Sequence, residues 1–139
     1  MAQLPLTKGV GNLQTLRSLL LSSSSVVVFV IIDFERPQFI MDRFQHGCLD
    51  TQVGLAILNT RNLSSTSKFT TFNFITGTDA YFEASAPVYR WGTAEKISVT
   101  GILSKINHCL RIYQNRCIFL IEHGIPSDLA ALKALGFNF

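Results

Sequence analysis

Two carboxylates spaced two positions apart, Asp33 and Glu35, close a run of seven apolar residues in the stretch "VVVFVIIDFE". A third, Asp128, stands in "EHGIPSD", directly after a second apolar run, "CIFLI". A charge at the end of a buried strand is costly unless something compensates it. Three carboxylates drawn to one sheet edge repel one another unless cations bind them. Hard oxygen ligands with open positions suit Mg²⁺ or Mn²⁺, and a pair of such ions is suited to displacement at phosphorus. Plainer roles are also open to these residues: Asp33 and Glu35 as a strand-end turn, and Asp128 as a stabiliser of a helix start, a position that favours the ionised form. His123 reads more readily as a histidine bonded to a loop carbonyl than as a catalytic base.

The metal reading requires that the two apolar runs lie side by side. Val26 to Ile32 is rich in β-branched residues without alternation, which predicts a strand covered on both faces and central in its sheet. In "TQVGLAIL" Val53, Leu55 and Ile57 alternate with Gln52, Gly54 and Ala56, and "FTTFNFI" alternates through Phe72 and Phe74. Three successive strands with short connections favour an antiparallel meander. From Thr93 the period becomes helical, through Val99, Ile102, Leu103, Ile106, Leu110 and Tyr113, with Thr93 as N-cap and Glu95 in the first turn. "CIFLI" then reads as a strand, and a helix opens at Pro126 and stops at Gly136. The predicted order is βββαβα. A helical crossover makes the last strand a parallel neighbour of the first, which brings Asp33 and Glu35 towards Asp128.

Composition sets the outer bounds. A chain of 139 residues with 47% hydrophobic and 15% charged residues predicts one folded domain and excludes intrinsic disorder. The net charge of +3 permits a polyanionic partner without requiring one. Cys48, Cys109 and Cys117 have neither even number nor CxxC spacing, which argues for buried thiols rather than disulfides or zinc. "LLLSSSSVVVFVII" is interrupted by four serines, so it reads neither as a signal peptide nor as a membrane span. The expectation is an intracellular protein of cytoplasm or nucleus, not membrane-bound.

With these residues in view, the series "DFE", "TQVGLAILNTRNL", "YRWGTAEKI" and "FLIEHGIPSDLAALKALGFNF" resembles the DEDD-type 3′–5′ exonucleases of the ribonuclease H-like fold. More narrowly it is similar to fungal exonuclease-like domains of proteins linked to messenger-RNA export. Gly9, Gly11 and the run Ser22 to Ser25 mark residues 1–24 as a lead-in, and the resemblance implies a ribonuclease H-like α/β domain with a mixed sheet over 25–139. It implies that Asp33 and Glu35 are the first metal-binding pair and Asp128 the acid of the second motif, with His123 and Gly124 in the turn before it. All three acids are then catalytic, holding two Mg²⁺ or Mn²⁺ ions for stepwise hydrolysis of single-stranded nucleic acid, RNA or DNA, from a 3′ end.

The chain also departs from that pattern. After Asp128 it contains no His, Tyr, Asp or Glu, so the general base and fourth carboxylate of the third motif are missing. Gln52 and Asn59 stand where related sequences often carry acids, and Glu122 where a glycine is more usual. The expectation is a weakly active or inactive domain truncated at its C-terminus, or else a nuclease-fold module that binds nucleic acid or protein without cutting. Leu132, Leu135, Phe137 and Phe139 are expected to have fewer partners than in a complete domain, which predicts self-association or packing by "LRSLLL". Lys105, His108 and Arg111 share a helix face that is either solvated or turned to a nucleic-acid backbone. Tyr89, Arg90 and Trp91 either pack a helix start or stack on single strands.

Overall fold

A computed structural model describes residues 18, 27–42, 49–62, 69–121 and 126–137. The expectations for most of the lead-in, for Cys48, for Glu122, His123 and Gly124, and for Phe139 fall outside the described residues. Strands β1 (Val27–Glu35), β2 (Gln52–Asn59) and β3 (Thr70–Ile75) form the expected antiparallel meander. Strand β4 (Ala94–Lys96) runs parallel to β3, and β5 (Cys117–Ile121) parallel to β1. The result is a mixed α/β fold around a five-stranded sheet of order β4-β3-β2-β1-β5. Four helices accompany it among the described residues: α1 (Gln38–Met41), α2 (Asp79–Ser85), α3 (Ile102–Leu110) and α4 (Pro126–Ala134).

The core lies on one face of the sheet. Val28, Val30, Ile32 and Phe34 of β1 alternate onto it beside Val53, Leu55 and Ile57, and meet Ile102, Ile106 and Leu110 of α3 and Ala131 and Leu132 of α4. Alternation in β2 places its bulky residues inward and leaves Gln52, Gly54 and Ala56 half-buried on the other face. β1 is not covered on both faces along its length. It alternates from Phe29 onward, Ile31 is 36% exposed, and Asp33 and Glu35 are exposed. The missing alternation in the sequence reflects apolar residues on a face that is only partly covered, while the strand ends in charge.

The largest correction concerns Thr93. No helix begins there: Ala94, Glu95 and Lys96 pair with Asn73, Phe74 and Ile75, so Glu95 lies in an edge strand rather than a first helical turn. Pairing satisfies the outer backbone groups of β3, which a helix at this point would leave unpaired. The helical face is correct only from Val99, through a 3₁₀ turn (Val99–Gly101), α3 and a second 3₁₀ turn (Arg111–Tyr113). Two helices were not expected. α1 is a single turn after Pro37. α2 buries no residue, so it lacks the apolar period that marks α3, and its signal is the cap alone: the Thr78 side chain accepts from the Tyr81 amide at 3.2 Å.

Of the C-terminal apolar residues expected to have fewer partners, Leu132 and Phe137 are buried and Leu135 packs partly buried against the core. Gly136, at φ 89°, ends α4 in the left-handed region, where the Phe137 amide donates to the Leu132 carbonyl and the Gly136 amide to the Lys133 carbonyl, each at 2.9 Å. This Schellman closure turns Phe137 back onto the core beside Leu132, and both are buried. Cys109 is buried and Cys117 half-buried, both as free thiols. None of the described helices is long and apolar enough to cross a membrane.

Candidate functional site

The sheet register decides which side chains share a face, because residues directly opposite one another point the same way. Asp33 stands opposite Gly54, Gly54 opposite Asn73, and Asn73 opposite Ala94, forming one row across four strands. Glu35 heads the next row, through Gln52 and Ile75 to Lys96. Both acids therefore lie on the face away from the core, at the C-terminal end of β1. The end is held in place locally, since the Thr51 hydroxyl donates to the Glu35 carbonyl at 2.6 Å.

Asp128 reaches the same end from the first turn of α4, which packs against α1 and β1. It is 2% exposed, and its Oδ1 has no hydrogen-bond partner. Burial pushes its carboxyl above the usual carboxylate range, and the charge of Asp33 pushes it further. The Phe34 backbone amide, which hydrogen-bonds the group, pulls the other way, and Glu35 adds a smaller upward push. The structure thus brings Asp33, Glu35 and Asp128 into one electrostatic cluster. The upward shift, from burial first and then the two like charges, runs against the expectation drawn from its place in a first helical turn.

By donor type alone, three carboxylates and one buried oxygen lacking a proton donor are the hard oxygen ligands that divalent cations take. The side chains do not form a closed ligand shell, for among the described residues no group of three or more His, Cys, Asp and Glu side chains is placed to hold a metal ion.

The other expected contacts divide. Lys105 is ion-paired with Glu95, while His108 on the same helix and Arg111 in the 3₁₀ turn that follows are exposed. Tyr89 and Trp91 meet edge to face at 6.0 Å in the loop before β4, not at a helix start, and Trp91 is 74% exposed. The Thr71 hydroxyl fastens that loop to β3 by donating to the Trp91 carbonyl at 2.6 Å.

Three residues near the acids escaped sequence reasoning. Asn73, in the Asp33 row, is 1% exposed with both amide atoms unpartnered. Its strand was recognised, but only the register shows that it shares a face with Asp33. Arg36 and Tyr81 pair across the site edge, with the guanidinium 4.7 Å from the ring centre. The "RP" dipeptide after Glu35 was the available signal for an unusual turn there. No family model matches the chain, and no curated protein matches it.

Proposed function

We propose that this chain is a DEDD-type 3′–5′ exonuclease domain of ribonuclease H-like fold, acting on single-stranded nucleic acid with Mg²⁺ or Mn²⁺ held by Asp33, Glu35 and Asp128. The observation that carries this reading is the buried, partnerless Oδ1 of Asp128 within the fields of Asp33 and Glu35. A meander of three strands followed by a strand parallel to the first supports the fold assignment. So does the position of the acids where the two parallel strands end.

In this reading Asp33 and Glu35 present exposed oxygens from a strand end whose backbone is tied to Thr51. Asp128 offers its free oxygen from the buried side, and the Phe34 amide orients the carboxyl. The chemistry that bound divalent ions supply at such a site is activation of water and neutralisation of charge developing at phosphorus. Turnover by this chain is low in this reading, because the residues after Asp128 include no His, Tyr, Asp or Glu to serve as general base or fourth carboxylate.

A second reading, a nuclease-fold module that binds nucleic acid or a protein without cutting, is favoured by the absence, among the described residues, of three or more metal-ligating side chains placed to hold an ion. Timed digestion of 5′-labelled single-stranded RNA and DNA with Mn²⁺, set beside Asp33→Asn, separates the two. Slow shortening from the 3′ end that vanishes in the variant supports the nuclease. Metal-independent binding with no shortening supports the module.

A further inference from the structure

Arg36 follows Glu35 directly and, among the described residues, is the one non-glycine residue with a positive φ, 60°. A left-handed backbone is unfavourable for a residue with a Cβ, and the next residue, Pro37, adds a second objection, since residues before proline are driven towards extended conformations. Strain of this kind persists only where the surroundings over-determine it. Here the surroundings are visible. From the Glu35 carbonyl a hydrogen bond leads to Thr51, whose own carbonyl accepts from the Thr76 amide at 2.9 Å. Next to Thr51, Asp50 accepts from the Thr78 amide at 2.8 Å and its hydroxyl at 3.1 Å, and Thr78 caps the helix that carries Tyr81. The end of β1 and the start of α2 are thereby locked together, and the turn at Arg36 delivers its guanidinium to the Tyr81 ring.

The consequence is chemical. Stacking occupies the face of a guanidinium and leaves its in-plane N–H donors free, the geometry that binds a phosphate through two parallel hydrogen bonds. Arg36 is exposed and, among the described residues, has no ion pair, although two carboxylates lie within three positions of it. The turn and the stack hold it on α2 instead of letting the acids neutralise it.

We propose that Arg36, held by Tyr81, is a phosphate-binding arm for the backbone of single-stranded nucleic acid at the edge of the acid cluster. The proposal rests on the nuclease-type reading of that cluster.

The test is fluorescence anisotropy with short 5′-labelled oligouridylate and oligothymidylate in Ca²⁺, across a range of salt, run beside a thermal melt with Mn²⁺. Arg36→Gln should weaken binding about tenfold or more, as loss of hydrogen bonds to a charged group does. It should also lower the slope of log affinity against log salt by about 0.7, the value for one phosphate contact on a single strand. Arg36→Lys should keep the slope and recover only part of the affinity, and Tyr81→Leu should lose affinity with the slope intact. Arg36→Gly, which relieves the left-handed strain, should melt no lower than the native chain yet bind as weakly as Arg36→Gln, which separates binding from folding. Native affinity and slope in Arg36→Gln, with the Mn²⁺ shift retained, would overturn the proposal and leave the metal reading standing. Absence of both oligonucleotide binding and a Mn²⁺ shift in the native chain would overturn both. Displacement by polyglutamate as effective as by unlabelled oligonucleotide would make Arg36 a general anion contact and overturn the proposal as well.

Discussion

Asp128, in the first turn of α4, has its carboxyl pushed up first by its burial and then by the charge of Asp33 at the end of β1. A cation bound there, as proposed, would relieve the repulsion and give the unpartnered oxygen a partner. Ligands that bind only the folded state stabilise it by mass action, about 2.7 kcal/mol at a hundredfold excess over Kd. The melting temperature of the native chain should therefore rise with Mn²⁺, and much less in Asp33→Asn. Equal shifts in the two proteins would place the ions elsewhere.

The pH dependence follows from the direction of the Asp128 shift. Its folded-state carboxyl holds a proton more tightly than the ordinary group at 3.8, so between that value and the raised one the folded chain binds more protons than the unfolded chain. The stability contributed by this group is therefore fully present below 3.8 and is lost as pH rises through the folded value. In EDTA, Asp128→Asn should be more stable than the native chain near neutral pH, and the difference should shrink on acidification. Denaturant melts at several pH values measure this, and a gap that widens towards acid would refute the assignment. The same variant should lose the Mn²⁺ shift.

Leu132 is fully buried against the sheet and carries the Schellman closure that seats Phe137. Leu132→Ala should cost about 2–5 kcal/mol by urea unfolding, the range for a leucine truncated in a packed core. A cost under 1 kcal/mol would mean that this end of α4 packs as loosely as its sequence first implied.

Gly77 lies between β3 and the cap of α2, with φ 93°. A Cβ added there would stand 2.7 Å from the Asp50 Cα and 2.8 Å from its backbone nitrogen. Gly77→Ala combines an unfavourable backbone conformation with a clash that backbone atoms cannot evade, and should destabilise the fold by about 2 kcal/mol or more. Because Asp50 anchors Thr78, the variant should also weaken oligonucleotide binding through Tyr81 and Arg36.

The Lys105–Glu95 ion pair joins α3 to β4 with both side chains partly exposed. Exposed pairs contribute about 0.2–1 kcal/mol, so Glu95→Gln should lower stability by no more than that. High salt should erase the difference between the two proteins.

The alternation of Val53, Leu55 and Ile57 determined β2 by itself, since the period of two leaves one face for the core whatever the partner strand. The proline at 126 and glycine at 136 likewise bounded α4, because one sets φ for a helix start and the other admits the left-handed close. The parallel pairing of "CIFLI" with β1 was legible from the intervening helical crossover. Tertiary structure decided the rest. Glu95 carries no local signal that separates a first helical turn from an edge strand, and the unpaired backbone of β3 settles it. α2 has no apolar stripe to read, and its place comes from Asp50, distant in sequence. The spacing of Asp33 and Glu35 located one half of the acid cluster. The burial of Asp128, the upward push on its carboxyl and the stacking of Arg36 on Tyr81 depend on contacts between segments far apart in the chain, where desolvation and like charges act through space rather than along the sequence.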